Sequence, residues 1–426
     1  MELENASFLS KVLTPWALCL ILLSSLSSSE AYDSLDPNGN ITIKWDIMSW
    51  TPDGYVAVVT MYNYQQCRHI QPPGWQLSWT WAKKEVIWSM VGALATEQGD
   101  CSEFMGNVPH SCKQDPTVVD LLPGTPYNMQ IANCCKAGVI STINQDPANA
   151  ASSFQLSVGR AGNTKKTVKA PKNFILKTPG PGYTCGPAKL VESTKFVNGR
   201  RITEALMTWS LTCTYSQFLA YKTPSCCVSL SSFYNDTVVD CPTCSCGCQN
   251  SNMKHRNCVK GDSPLLRSIL NGPGKYSYTP LVQCTSHMCP IRVHWHVMLN
   301  NKDYWRVKIT ITNLNYRMNY TQWNLAVQHP NFDNLATLVG LNYKSLMPYG
   351  AGINDTAMLW GVKNNDLLMT AGSYGNVQAE LLFRKDSNTF TSEKGYEFPR
   401  RVYFNGDNCV MPPPDAYPWV PNEELL

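Results

Sequence analysis

Charge is scarce in this chain. Asp, Glu, Lys and Arg make up 15% of its 426 residues, the net charge is +4, and no long basic run is present. That excludes the electrostatic footprint of a nucleic-acid-binding surface. It leaves a surface of hydroxyl, amide and ring groups, which suits a neutral partner better than an ionic one. Long apolar runs are also missing, since no segment reaches the roughly 20 residues of a membrane-spanning helix. No Gly-x-Ser-x-Gly elbow appears, and Asp46, Asp53, Glu85, Asp100 and Glu103 are too scattered to define a glycosidase pair. Catalytic residues, a metal site and a cofactor are therefore not expected. His294 and His296 would share one face of a strand, but no third ligand can be assigned. They read as histidines on a solvated strand face with no functional role. A copper site built on an N-terminal histidine is disfavoured by a predicted mature end at Tyr32. Helical periodicity is rare too: only residues 84–96 allow it, and Val86, Ile87 and Trp88 favour a strand there.

Cysteine is what the chain has in excess. There are 18, and Cys19 falls in a leader whose apolar stretch at 16–23 follows Lys11 and precedes a small-residue site ending at Ala31. Residues 1–31 are thus expected to be a cleaved signal peptide. Seventeen cysteines remain: Cys67, Cys101, Cys112, Cys134, Cys135, Cys185, Cys213, Cys226, Cys227, Cys241, Cys244, Cys246, Cys248, Cys258, Cys284, Cys289 and Cys409. Such a load belongs to an oxidising compartment. Sequons at Asn40, Asn235, Asn319 and Asn354 agree with secretion and mark candidate glycosylation sites. The spacing from Cys241 to Cys248 would suit zinc in a reducing cytosol, but here it reads as disulfides. Adjacent pairs, Cys134 with Cys135 and Cys226 with Cys227, are expected to bond to different partners, because a disulfide needs well-directed β-carbons. Seventeen is odd, so at least one thiol stays free or pairs between chains.

Short strand-like runs bounded by Gly, Pro, Asn and Asp dominate the chain. The predicted fold is all-β. A β-sandwich at 32–178 would be followed by a Pro/Gly linker at 179–183 and a cysteine-rich segment at 184–289 carrying Cys226-Cys227-Val228-Ser229. That segment would pack on a second sandwich at 290–411, with a Pro-rich tail at 412–426. In the first sandwich Ile41, Ile43, Trp45 and Ile47 alternate with polar residues, as on a half-buried strand. In the second, Val307, Ile309 and Ile311 do the same.

The sharpest functional signal is aromatic. Trp75, Leu77, Trp79 and Trp81 share one face of a strand, and Tyr62 and Tyr64 share another. Flat rings stack on the apolar faces of sugars while neighbouring amides and hydroxyls bind their hydroxyl groups, the usual composition of a ligand site. Trp45, alternating with isoleucines, is expected in the core. Trp75, Trp79, Trp81, Tyr62 and Tyr64 are the candidate carbohydrate-binding residues. A protein-binding adhesion or signalling ectodomain, with the aromatics buried, is the alternative.

Long motifs carry a resemblance to a known family. They include KQDPTVVDLLPGTPY at 113–127, IANCC at 131–135, PGPGYTCGP at 179–187, CTYSQFL at 213–219, CCVSLSSFYN at 226–235, YWRVKITIT at 304–312, NDTAMLWGV at 354–362 and FPRRVYFNGDNCVMPPP at 398–414. The chain resembles the plant COBRA proteins over essentially its whole mature length. The resemblance implies a non-catalytic cell-wall protein with a carbohydrate-binding-like N-terminal domain. Its partner would be crystalline cellulose or nascent glucan chains, and its effect would fall on the orientation and crystallinity of microfibrils, hence on oriented expansion or wall strength. It also implies location at the outer face of the plasma membrane through a glycosylphosphatidylinositol anchor, or release into the wall. Two departures from the family pattern are visible. The tail from Pro418 to Leu426 carries no hydrophobic anchor signal, so a secreted form is expected if the C-terminus is complete as written, a truncated gene model or an alternative transcript being the other readings. Ser111 stands beside Cys112 where the family has a cysteine pair, so Ser111→Cys is expected to lower the free-thiol count by one.

Overall fold

A computed structural model of the chain describes residues 33–199, 201–220, 224–242, 289–314, 319–347, 355–362, 367–369, 375–385 and 396–418. The leader, Cys244, Cys246, Cys248, Cys258, Cys284, Asn354 and the end of the tail lie outside the described residues. Within them the chain is all-β, with short 3-10 turns and no α-helix.

The first domain uses thirteen strands, eleven of them in the two facing sheets. In chain order they are β1 (Asn40–Trp50), β2 (Tyr55–Asn63), β3 (Gln76–Thr80), β4 (Val86–Val91), β5 (Ala93–Ala95), β6 (Thr117–Asp120), β7 (Ala151–Gly159) and β8 (Lys172–Lys177). There follow β9 (Tyr183–Cys185), β10 (Lys189–Val191), β11 (Lys195–Asn198), β12 (Arg201–Glu204) and β13 (Met207–Tyr215). One sheet runs β10-β13-β1-β2-β7-β4, with β9 also on β13, and it faces a four-stranded sheet β5-β6-β3-β8. Strand alternation works as expected in β1, where Ile41, Ile43, Trp45 and Ile47 are buried between the sheets. Strands β11 and β12 form a separate hairpin.

The second sandwich opens with β14 (Cys226–Ser232), β15 (Asn235–Val239), β16 (Ile291–Asn300) and β17 (Tyr304–Asn313). Its six-stranded sheet runs β15-β14-β16-β17 and then through Asn376–Arg384 to Leu335–Val339. Strands β14 and β16 are parallel, and β16 and β17 antiparallel. The facing sheet contains Leu341–Leu346, Thr356–Gly361, Asn324–Gln328, Arg401–Phe404 and Asp407–Asn408.

Three expectations are corrected by this arrangement. The Pro/Gly stretch at 179–183 does not end the first domain. It leads into β9, and β13 pairs with β1 from Asn40 opposite Thr214 to Ile47 opposite Met207, with Cys185 bonded to Cys213. The hydrophobic face of β13, with buried Trp209 and Leu211, needs that core more than a cysteine-rich segment of its own. Second, Cys134 and Cys135 bond to each other. The chain there turns through positive φ at Asn133, Cys135 and Ala137, which redirects the adjacent side chains. Cys226 and Cys227 do take different partners, Cys409 and Cys241, so these are disulfides and not zinc ligands. Third, among the described residues the unpaired thiol does not lie beside Ser111. Cys112 is bonded to Cys101, while Ser111 is buried with its hydroxyl donating to the Glu97 carbonyl at 2.9 Å. Among the described residues the free cysteine is Cys67, buried where the two sandwiches meet.

That meeting place is built. Leu35 and Cys67 pack with Ala326, Leu346, Met358 and Tyr403 of the second sandwich. Around this apolar patch, Asn324 donates to the Cys67 carbonyl at 2.8 Å and Gln145 to the Gln322 carbonyl at 2.7 Å. Arg68 pairs with Asp407 at 2.6 Å and with Asp33 at 3.3 Å, and donates to the Gly406 carbonyl at 2.7 Å. Gly406 has φ +85°, and a β-carbon there would also press on the Arg68 guanidinium.

Candidate functional site

The predicted tryptophan platform is on the wrong side of its sheet to meet a ligand. Trp75 and Trp79 are 1% exposed and Trp81 3%. The shared face was correctly read from the strand period, but β3 turns it inward onto the other sheet. Trp45 of β1 meets Trp79 edge-on at 5.2 Å and Trp81 at 6.0 Å, and Trp79 meets Trp81 at 5.4 Å. Edge-to-face geometry lets three indoles share one core. Trp75 stacks on Phe154 at 5.9 Å and donates to the Ser152 hydroxyl at 3.1 Å.

Tyr62 and Tyr64 are placed differently. They leave the end of β2 on the outer face of the larger sheet and stack on each other, centroids 6.0 Å apart and planes 18° from parallel. Tyr62 is half-buried, and Tyr64 is 45% exposed. Burial, with Asp46 and Tyr64 adding smaller effects, raises the Tyr62 phenol above its usual range, so it stays a neutral donor.

The face around the pair is lined with hydroxyls because alternate residues of four strands point outward. Thr42 sits opposite Tyr62 on one side and Thr212 on the other; Lys44 sits between Thr60 and Ser210. The Thr60 and Ser153 hydroxyls lie 3.0 Å apart and Thr208 donates to Asp46 at 2.6 Å, but these four side chains are buried, which leaves Thr42, Lys44, Ser210 and Thr212 as the accessible groups. Asn40, the first sequon residue, closes one end: its carbonyl accepts from the Tyr64 amide at 2.9 Å and its Oδ1 from Thr42 at 2.8 Å. The result is a strip carrying a stacked ring pair, the hydroxyls of Thr42, Ser210 and Thr212, and the Lys44 ammonium.

The scattered carboxylates have structural partners. Asp46 accepts from Thr208, Glu103 pairs with Arg160 at 2.7 Å, Asp100 accepts from the Ser102 amide at 3.0 Å, and Glu85 from the Lys83 amide at 2.5 Å. Among the described residues no group of three or more His, Cys, Asp or Glu is placed to hold a metal ion. His294 and His296 are less solvated than expected. Ser229 and Ser231 of the parallel strand β14 bracket His294 at 2.7 and 2.9 Å, and Ser231 reaches His296 at 2.7 Å. Burial pushes His294 down to about 4, so its ring is neutral, and burial lowers His296 as well. Of the sequon residues, Asn40 and Asn235 are half-buried and Asn319 is exposed.

Sequence reasoning missed a second site, a cleft of about 380 Å³ where the two sandwiches meet. Arg68, Tyr183 and Tyr215 form one wall, and 405–408 of the second sandwich form another. The Arg68 guanidinium lies 3.6 Å over the Tyr215 ring, which meets Tyr183 edge-on at 5.4 Å. Nothing local in the sequence signals it, because Arg68 and Asp407 are 339 residues apart.

Comparison with known proteins fits this two-part architecture. The family model described as COBRA N-terminal domain matches residues 55–216, and COBRA family C-terminal domain matches 225–418. The first match ends just past β13, in keeping with the corrected domain boundary. COBRA-like protein 3 of Oryza sativa subsp. japonica is 75% identical over 408 residues, covering 95% of this chain and 89% of its own. Protein COBRA of Arabidopsis thaliana is 68% identical over 426 residues, covering 98% and 93%. Among solved structures, a GH20 exo-β-N-acetylglucosaminidase from Vibrio harveyi aligns with 32% of this chain and 19% of its own at 12% identity and a TM-score of 0.23, which carries no argument.

Proposed function

This chain belongs to the COBRA family, and from that premise we propose that it is a non-catalytic, extracellular cell-wall protein that binds cellulose or nascent glucan chains. By doing so it influences how microfibrils are assembled and oriented, at the outer face of the plasma membrane or in the wall. The contact surface is the outer face of the larger N-terminal sheet. The observation that supports this reading is the stacked Tyr62–Tyr64 pair, the one part of the expected aromatic set that reaches the surface. The stacked pair leaves Tyr64, 45% exposed, as an accessible ring on which the apolar face of a glucan ring can pack. The accessible Thr42, Ser210, Thr212 and Lys44 groups suit its hydroxyls.

Retention of the secreted chain on microcrystalline cellulose tests the proposal. Removing two stacking rings should weaken retention by about tenfold or more, since about 1.4 kcal/mol is a factor of ten. Equal retention of wild type and a Tyr62→Ala/Tyr64→Ala variant would remove the face, and no retention of wild type would remove the function. Burial of Trp75, Trp79 and Trp81 favours a second reading, an ectodomain with protein partners, because that reading places them in the core. A wild-type chain that ignores cellulose yet retains a protein partner through the outer sheet face would establish it.

A further inference from the structure

The Tyr62–Tyr64 pair has a modification sequence at its edge. Asn40, which opens Asn40-Ile41-Thr42, stands beside Tyr64. The register of β1 on β2 puts Thr42 opposite Tyr62 and Ile41 opposite Asn63, and it continues with the Tyr64 amide donating to the Asn40 carbonyl at 2.9 Å. Residues opposite each other in an antiparallel pair share a face, with β-carbons about 4.5–5.5 Å apart. Asn235, the other sequon residue on a described strand, faces Ser232 instead.

The Asn40 amide is aimed by its own contacts. Its Oδ1 accepts from the Thr42 hydroxyl at 2.8 Å, and its Nδ2 donates to the Asn38 carbonyl at 3.2 Å in an exposed contact. One Nδ2 hydrogen is thus engaged, and the second can be replaced by a sugar with both hydrogen bonds kept. Those bonds also set a direction. Oδ1 looks along β1 toward Thr42, beside Tyr62, so Nδ2 looks toward the opposite end of the strand pair. The Tyr64 ring has one face against Tyr62, and its other face looks toward that same end. A sugar joined to Nδ2 therefore starts beside the uncovered face of a ring that is 45% exposed. A ligand on so short a tether competes at an effective concentration of about millimolar, so a weak stack suffices.

We propose that Asn40 carries an N-linked glycan whose first N-acetylglucosamine packs on Tyr64, so that the chain's own sugar competes with glucan for the ring pair. The competition rests on the cellulose-binding reading of this face; the packing of the sugar does not. Attachment forms a bond from Nδ2 to the anomeric carbon of an oligosaccharyl diphosphate donor, and the diphosphate leaves with the bonding electron pair and the displaced Nδ2 proton. Occupancy of one sequon then sets how strongly the secreted chain holds cellulose.

Three measurements on the secreted chain test it. Peptide mass spectrometry should find Asn40 glycosylated. Retention on microcrystalline cellulose should be at least about threefold stronger for Asn40→Gln than for the glycosylated chain. Tyr64→Ala should cost more retention in the Asn40→Gln chain than beside the glycan, because only there is the ring free. Thr42→Val also removes the sequon and serves if Asn40→Gln does not fold. The packing is read without cellulose, by proton NMR of a chain trimmed to one N-acetylglucosamine per site. The acetyl methyl of the Asn40 sugar should be shifted upfield by the Tyr64 ring, and Tyr64→Ala should abolish the shift. An unmodified Asn40, an unshifted methyl, or equal retention of glycosylated and sequon-free chains overturns the proposal. Equal retention that still falls in Tyr62→Ala/Tyr64→Ala does so while the cellulose-binding face stands. No retention of any form overturns that reading and the competition together.

Discussion

The two sandwiches bury aromatic rings in similar numbers but treat polarity in opposite ways. In the first, the core around Trp45, Trp75, Trp79 and Trp81 is largely apolar, and buried charged or titratable side chains include Asp46 on the outer face and Arg68 and His69 at the junction. The second places ionisable groups among its rings. His329 stacks with Trp295 at 6.1 Å and tilts against Trp305 at 5.2 Å, while Glu397 is fully buried beside them, its carbonyl accepting from Trp295 Nε1 at 2.9 Å. The difference assigns roles. A domain with a dry core and polar strips outside is suited to presenting a surface. A domain with titratable groups inside has a stability that depends on pH.

Trp79→Ala gives the largest expected effect and the most direct way to break that comparison. Truncating a buried indole costs about 3–5 kcal/mol, and Trp79 contacts both Trp45 and Trp81. Chemical denaturation should show a much lower midpoint for the variant. An unchanged midpoint would mean that the ring is not in the core, and the tryptophans would return as a binding surface.

Next in size is the pH dependence of the second sandwich. Burial raises Glu397 from 4.5 to about 8, so the folded chain holds a proton there that the unfolded chain releases. Its contribution to stability is therefore full below about 4.5 and is lost as pH rises through 8, at up to about 1.4 kcal/mol per pH unit. Glu397→Gln removes the charge while keeping an acceptor for Asn300, now 2.7 Å from Oε1. The variant should melt with wild type near pH 4.5 and progressively above it toward pH 8. His329 acts in the other sense. Burial pushes it down from 6.5 to about 3, so stability falls as pH drops below 6.5. A difference between Glu397→Gln and wild type that stays flat across this range would place Glu397 in water.

A smaller effect sharpens the other half of the comparison. Tyr64→Ala alone should change stability by less than about 0.5 kcal/mol, as surface substitutions do, because the ring is 45% exposed and outside the core. Retention on cellulose should nevertheless fall severalfold. Loss of stability without loss of retention would make the tyrosine pair a packing feature.

How much of this was legible in the residues depends on the range of the forces involved. Alternation along β1 and β17 is local, and it correctly identified strands and their inward faces. Which way β3 turns its tryptophan face is set by the sheet it packs on, and a strand period alone does not say which side is water. Strand β13 was assigned to the wrong domain because its partner β1 lies more than 160 residues earlier, as the Asp46–Thr208 bond separation of 162 shows. The junction cleft was invisible for the same reason. The shared face of Tyr62 and Tyr64 was legible because residues two apart along a strand point the same way, and the two rings stack.

The smallest effect concerns the joint between the two halves. Cys67 is 1% exposed among side chains from both sandwiches, and burial pushes its thiol far above the usual range. It should resist alkylation in the folded chain and react in denaturant. Cys67→Ala should lower the denatured-state thiol count by one and cost about 1 kcal/mol or so, the scale of one small group removed from a packed site. Ser111→Cys is the control. The neighbouring Cys112 is already bonded to Cys101, and Cys67 lies at the junction rather than beside residue 111. The added thiol should therefore raise the count by one. A lowered count would instead mean that a free thiol lies within disulfide reach of residue 111.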